Sequence, residues 1–319
     1  MLVRLSFWAF PIQAEALLAA GNCASVQQKQ LYKFCFSVHN PPAVIHIHRS
    51  TSETRYRSPK PMTTILLSTA ALTLIAMLLL WLLSLRLRDA SIVDIYWGLG
   101  FVLIAWLTYF LANGYRPRKL LVCTLVTIWG VRLALHLWLR NRGRGEDYRY
   151  QAMRKRHKEQ FKWVSLGLIF GLQGLLMWAI SLPVQLVQTA ILPWGITWLE
   201  WFGAGVWLVG FLFEAVGDWQ LKRFKADPNN RGKVLRAGLW KYTRHPNYFG
   251  DALVWWGFWV VSIAVGEGII AVLSPMLMTF LLLKVTGAAL LEKSLVKTKP
   301  QYKAYVASTS AFVPWVPKK

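Results

Sequence analysis

The sequence predicts an all-α fold, a polytopic membrane helical bundle of about seven transmembrane helices, each near the ~20-residue length that crosses a bilayer. Three observations predict it. Apolar residues make up 55% of the chain and gather into long uninterrupted runs, a pattern of spanning helices rather than of alternating strands. Lysines and arginines give a formal net charge of +23 but fall in short blocks between those runs, as in the cytoplasmic loops of membrane proteins. The 18 tryptophans suit interfacial positions of a membrane protein. The same blockwise charge argues for lipid headgroups as neighbours and against a nucleic-acid partner.

Residues 1–61 are mixed in polarity and hold no spanning run. Leu2 to Ala20 is a poor signal peptide, because Pro11, Gln13 and Glu15 interrupt its apolar core. Met62 stands immediately before the first apolar run, so residues 1–61 are read as an N-terminal extension, a start-site artefact, and 62–319 as a single membrane domain. Cys23, Cys35, His39, His46 and His48 lack the paired spacing of a zinc site, and no metal is expected. Cys23, Cys35 and Cys123 are too few and scattered for a disulfide framework.

The expected spans follow in order. The first runs from Thr64 to Leu85, and the short basic turn Arg86 to Asp89 separates it from a second over Ile92 to Leu111. The third, Leu120 to Leu139, carries Arg132 and His136 on one face at i,i+4. A basic loop over 140–162 precedes the fourth span, Val164 to Leu186. The fifth runs from Trp198 to Gly217 and leads into a basic stretch, 222–244. The sixth covers Asn247 to Val265 and the seventh Ile269 to Leu291, followed by a basic tail. The positive-inside rule places the two basic loops and the C-terminus in the cytoplasm and the N-terminus outside. Arg116, Arg118 and Lys119 fall in an outer loop against that rule.

The stretch GLWKYTRHPNYFGD, Gly238 to Asp251, concentrates chemistry at the start of an apolar run. Pro246 suits a first helical position, since its φ is preset and its missing N–H would have gone unpaired. Asn247 and Asp251 then share one face, with Tyr248 beside Asp251. Arg244 and His245 precede a helix N-terminus, which favours anions. Interfacial anchoring accounts for Trp240, Tyr242 and Arg244. It does not account for Asn247 and Asp251, which would be costly facing lipid. Asp94, Glu214, Asp218, Asp251 and Glu292 all fall toward the cytoplasmic helix ends, among arginines, as a nucleotide pocket or as a set of interhelical salt bridges. No GxGxxG follows a strand, so a Rossmann domain is not the binding device.

Glu214 to Gly250, with the loop NRGRGEDYRY at 141–150 and the ending from Leu290 to Trp315, resembles the steroid 5-alpha-reductase family, and most of all its bacterial branch, a domain of unknown function. The resemblance runs from about residue 62 to the end, and its specific part is RHPNYFGD with the upstream ExxxD. It implies a seven-helix membrane enzyme that binds NADPH in a pocket open to the cytosol and reduces a C=C bond conjugated to a ketone. It further implies that Asp218, Asn247 and Asp251 line the dinucleotide site, with Glu214 where the family has asparagine. Lys222 and Lys225 match basic positions near the phosphates. Arg244, His245 and Tyr248 are similar to the sterol-reductase form of the motif, and Glu292, Tyr302 and Tyr305 to tail residues that close over the cofactor.

Carboxylates accept hydrogen bonds from ribose hydroxyls and a carboxamide, whereas phosphates need cations such as Arg223, Lys225, Arg231 or Arg244. Hydride transfer to an enone needs an acid that polarises the carbonyl as enolate charge develops. In the steroid reductases a glutamate on the second helix works with a tyrosine on the third. Here the candidates are Asp94, Tyr96 and Arg132, with Trp129 at the tyrosine position. Asp94 is equally explained as a helix N-terminal charge. Isoprenylcysteine and phospholipid methyltransferases carry a similar RHPxY motif and bind S-adenosylmethionine, which makes a membrane methyltransferase the alternative. A lipid-binding protein without a cofactor is the third. The expected setting is a bacterial inner membrane, with the endoplasmic reticulum as the other choice, and the expected substrate a hydrophobic steroid-like, prenyl or lipid molecule.

Overall fold

The computed structural model describes residues 60–318, except 267, 286–291, 293, 294 and 297. The N-terminal extension and the start-site reading therefore lie outside the described residues, apart from 60 and 61. The described residues are helical, with one isolated bridge between Thr243 and Ser310 in place of any sheet.

Helix α1 covers Met62–Leu87, α2 Ile92–Leu111, α3 Arg116–Asn141, α4 Tyr148–Ile180 and α6 Trp198–Ala226. A short α5, Leu182–Val187, stands between the last two. These five long helices are long and apolar enough to cross a membrane. Their outer faces carry exposed leucines such as Leu74, Leu79, Leu135 and Leu208, which lipid would cover. The expected sixth span is α7, Pro246–Ile263, of 18 residues. It reaches about 27 Å at 1.5 Å per residue, with Asn247 and Asp251 in its first turns, so it falls short of the apolarity of the five. The expected seventh is α8, Ile270–Val285, a shorter apolar helix whose continuation lies outside the described residues. A final helix, α9, covers Gln301–Ser308 in the tail.

Two boundaries differ from expectation. The basic stretch around 148–157 is helical and leads directly into α4, started by Asp147, whose side chain accepts the Arg149 N–H. Its charges suggested a loop, yet Gln, Ala, Met, Arg and Lys are good helix formers. The fourth span also ends at Ile180, earlier than Leu186, and α5 restarts with Pro183 in its first turn. A proline there cannot continue the preceding backbone ladder.

Close backbone approach sets the bundle. A Cβ on Gly98 of α2 would strike the Gly130 carbonyl of α3, and one on Gly210 of α6 would strike the Gly250 carbonyl of α7. Small residues of this kind let membrane helices pack through their backbones. Between α2, α3 and α7 the rings of Phe101, Trp129, Trp255 and Phe258 interlock, with Phe101 and Trp255 4.5 Å apart.

Arg118 and Lys119, the exceptions to the charge rule, are consumed inside the protein. Arg118 is fully buried against Glu200, Nε to Oε1 at 2.5 Å. It also donates to the carbonyls of Ala190, Pro193 and Gly195. Glu200 at the same time closes a capping box with Thr197 that starts α6. Lys119 Nζ donates to the Ala112 carbonyl at 2.6 Å and sits over the Tyr109 ring. Neither side chain is a free loop charge, so neither counts toward orientation.

Candidate functional site

Three helices supply one polar centre. On α3, Trp129, Arg132 and His136 recur at i, i+3 and i+7, which puts them on one face. Glu214 and Asp218 do the same on α6, and Asn247 and Asp251 on α7. Proline at the first position of α7 fixes where that face begins. Because Gly210 and Gly250 bring α6 and α7 into backbone contact, the two acid-bearing faces meet.

Arg132 bridges both acids of α6: it pairs with Glu214 through Nη2 and with Asp218 through Nη1 at 2.8 Å. Trp129 Nε1 donates to Glu214 Oε2 at 2.8 Å, and Asn247 Nδ2 to Asp218 Oδ1 at 3.1 Å. His136 Nε2 lies 3.6 Å from Asp218 Oδ2. Asp251 stands within electrostatic reach of Glu214, Asp218 and Arg132, yet its Oδ1 is buried with no hydrogen-bond partner. Two acids thus share one guanidinium, with a third close by. An ion cluster of that composition in a membrane bundle is costly.

Beyond the end of α6 lies a cavity of about 560 Å³. Among the described residues its cations are Lys225, Arg231, Lys233, Arg244 and Lys299, against a single lining carboxylate, Asp227. Asp227 is occupied locally, accepting from the Asn229 N–H and Asn230 Nδ2. Lys299 Nζ donates to the Lys233 carbonyl at 2.8 Å, which draws the tail against the 227–235 loop. His245, Trp240, Tyr302 and Tyr305 complete the wall. The cavity adjoins the polar centre, since Trp240 Nε1 donates to the Gly217 carbonyl at 3.1 Å and His245 is two residues before Asn247.

Arg244 is engaged on every side. Nε and Nη2 meet the two oxygens of Glu292 at 2.7 and 3.2 Å, and Nη1 donates to the carbonyls of Val306 and Thr309. It clamps the tail to the RHPN turn. His245 Nε2 is 2.9 Å from Glu292 Oε1, and its ring stacks on Tyr248 at 5.3 Å. Burial would raise the Glu292 carboxyl, but hydrogen bonds from Arg244 and His245 outweigh it and hold it below the usual range. Burial pushes the His245 imidazole down against the pull of Glu292. It also lifts the Tyr302 phenol to about 12. Tyr305 Oη donates to the Trp240 carbonyl at 2.5 Å.

The structure therefore gathers the named residues into two adjoining groups. Glu214, Asp218, Asn247, Asp251 and Arg132 form the polar centre. Lys225, Arg244, His245, Tyr302 and Tyr305 line the cavity, with Glu292 behind Arg244. Tyr248 stands between the groups, whereas Lys222 is exposed outside the lining and near His136. Asp94 and Arg132 are not partners. Asp94 accepts from Tyr150 Oη at 2.8 Å and Arg149 Nη2 at 2.7 Å. It belongs to a set of stitches, with Ala90 N–H to Glu146 and Asp147 N–H to Ser91, that hold the start of α4 against the start of α2. Tyr96 makes no hydrogen bond among the described residues and lies beside Gly100. Lys233, Lys299, Arg149 and Tyr150 carried no individual mark in the sequence, because the tail and loop packing that places them is long-range.

A search of curated proteins finds an uncharacterised protein of Schizosaccharomyces pombe, 25% identical over 220 residues, which are 60% of this chain and 62% of that protein. The human 3-oxo-5-alpha-steroid 4-dehydrogenase 1 is 33% identical over 60 residues, 19% of this chain and 23% of that protein. The bovine protein of the same name is 32% identical over the same length. The chain thus spans less than two thirds of the length of each of these relatives, and the steroid-dehydrogenase likeness is confined to a short stretch. No solved structure matches. The family model described as Protein of unknown function (DUF1295) matches residues 80–309, a range that includes α2, the whole polar centre and the cavity lining. On that match the chain belongs to the DUF1295 family.

Proposed function

We propose that this protein is a membrane-embedded reductase that uses NADPH to reduce a C=C bond conjugated to a ketone in a hydrophobic, steroid-like or prenyl/lipid substrate. The observation that carries the reading is the adjacency of a cation-lined cavity and a carboxylate–asparagine centre. A dinucleotide phosphate needs both, cations for its phosphates and acceptors for its ribose and amide. The short likeness to the human 3-oxo-5-alpha-steroid 4-dehydrogenase 1 agrees with the reaction class. The family match over 80–309 agrees with 62–319 acting as one domain.

The cofactor supplies the hydride when bound. Lys225, Arg231, Lys233 and Lys299 hold its phosphates, and the helix end at Pro246 adds its partial positive charge. Asp218, Asn247 and Asp251 orient the nicotinamide half, with Arg132 fixing the acids. Glu292, Tyr302 and Tyr305 support the tail that closes the cavity. The Tyr96 hydroxyl, free among the described residues, is the candidate to donate the proton as the enolate forms. Asp94 acts on the site only by holding the start of α4. In this reading the cavity faces the cytoplasm, which the basic loops and tail support through the positive-inside rule, the membrane is a bacterial inner membrane, and the substrate enters from the lipid.

Incubating the purified protein with NADPH carrying deuterium at C4 and a panel of hydrophobic enones tests this. Deuterium on the β-carbon of a saturated product is the expected result. Transfer of a methyl group from S-adenosylmethionine to a lipid acceptor, without NADPH oxidation, would replace the reading by a methyltransferase.

A further inference from the structure

Among the described residues, four buried side-chain polar atoms have no hydrogen-bond partner: Arg132 Nε, Trp207 Nε1, Asp251 Oδ1 and Trp255 Nε1. All four belong to α3, α6 and α7, the helices of the polar centre. Buried polar groups elsewhere in the described chain find partners, as such groups do wherever water is excluded. The exceptions are therefore concentrated where a ligand is expected.

Two of them form a unit. Asp251 and Trp255 are one turn apart on α7 and share a face. The Trp255 indole N–H interacts with the Asp251 carboxyl, yet neither Trp255 Nε1 nor Asp251 Oδ1 closes a hydrogen bond. Both are rigidly held. Trp255 is fully buried among Phe101, Trp129 and Phe258, with ring centroids 4.5, 5.5 and 5.5 Å away. Asp251 follows Gly250, whose backbone lies directly on that of α6. Trp207 stacks on Phe211 at 5.1 Å and stands outside the pair.

A fixed acceptor beside a fixed donor is complementary to a group that carries a donor and an acceptor on neighbouring atoms. A primary carboxamide has that form, its NH₂ for Asp251 Oδ1 and its C=O for Trp255 Nε1. We infer that Asp251 and Trp255 are an amide-recognition pair, which, resting on the reductase reading, takes the carboxamide of the nicotinamide ring. The pair sets which face of the ring looks toward the substrate. Arg132, with its Nε unclaimed, keeps Glu214 and Asp218 from competing for the same amide.

The test compares NADPH with its 3-acetylpyridine analogue, in which the carboxamide NH₂ is a methyl group, by equilibrium binding to the protein in lipid nanodiscs. Wild type is expected to bind the carboxamide up to about tenfold tighter, the net worth of one hydrogen bond. Asp251→Leu is expected to abolish that preference. Trp255→Phe, which removes only the N–H, is expected to weaken both ligands alike, because both keep the carbonyl. Equal wild-type affinity for the two ligands, or a preference that survives Asp251→Leu, overturns the assignment. Should Asp251→Leu fail to fold, unchanged affinities in Trp255→Phe overturn it as well. If wild type binds neither dinucleotide, the reductase reading itself falls, a result distinct from binding without discrimination.

Discussion

Asn247 on α7 reaches Asp218 on α6, Nδ2 to Oδ1 at 3.1 Å, while the other oxygen of Asp218 is held by Arg132 of α3 at 2.8 Å. One carboxylate therefore ties three helices together at the end of the bundle that carries the basic loops. The centre is a structural knot as well as the proposed ligand surface, and its members have to be tested for both roles.

Arg132→Met removes the cation that Glu214 and Asp218 share. Breaking a buried pair from one side leaves uncompensated charge and costs about 3–5 kcal/mol. The expected outcome is a marked drop in thermal stability in detergent at neutral pH. A second change, Glu214→Gln, is expected to restore part of it, because it removes one of the stranded charges. Melting curves of the single and double variants check this.

Arg118→Met makes the matching prediction at the far end of α3. Arg118 and Glu200 are both fully buried, so the variant is expected to lose about 3–5 kcal/mol. Nucleotide affinity should stay intact, because neither residue lies in the polar centre or the cavity. Melting temperature and dinucleotide affinity measured on the same samples separate the two effects.

Acid is expected to destabilise the protein in two stages. The His245 imidazole is shifted down in the fold, so below about pH 6.5 the unfolded chain binds the extra proton and stability falls. Glu292 is held below its ordinary value, so its contribution is complete above about pH 4.3 and is lost as pH falls further through the folded value. Glu292→Gln should remove the second stage and deepen the first, because the imidazole loses the carboxylate that pulls it up. Melting temperature followed as pH is lowered reads both.

Much of this arrangement was legible along the chain, for identifiable reasons. Proline and the apolar run mark the start of α7 at Pro246, and unbroken hydrophobicity marks α2 at Ile92 to Leu111. The i,i+4 pairs Glu214/Asp218 and Asn247/Asp251 are visible as polar side chains in or beside apolar segments. The helical stretch 148–157 was not legible, because its charge density reads as loop while its residues favour helix. The role of Arg244 was half legible. Its charge suggested a phosphate ligand, but its guanidinium is taken by Glu292, Val306 and Thr309, partners that depend on how the tail folds back. Asp94 likewise finds Arg149 and Tyr150 through a loop closure that no local pattern encodes.

In the proposed function the cation-lined cavity and the polar centre hold one dinucleotide between them. NADPH affinity, read from the change in its fluorescence on binding, tests it in wild type, in the double variant Arg231→Glu/Lys233→Glu, and in Asp218→Asn. Tight, salt-sensitive binding to wild type is expected, with a loss of at least about tenfold in each variant, the worth of one charge-assisted hydrogen bond. Binding that survives both sets of changes would contradict it, as would a wild-type protein that binds S-adenosylmethionine and leaves NADPH fluorescence unaltered.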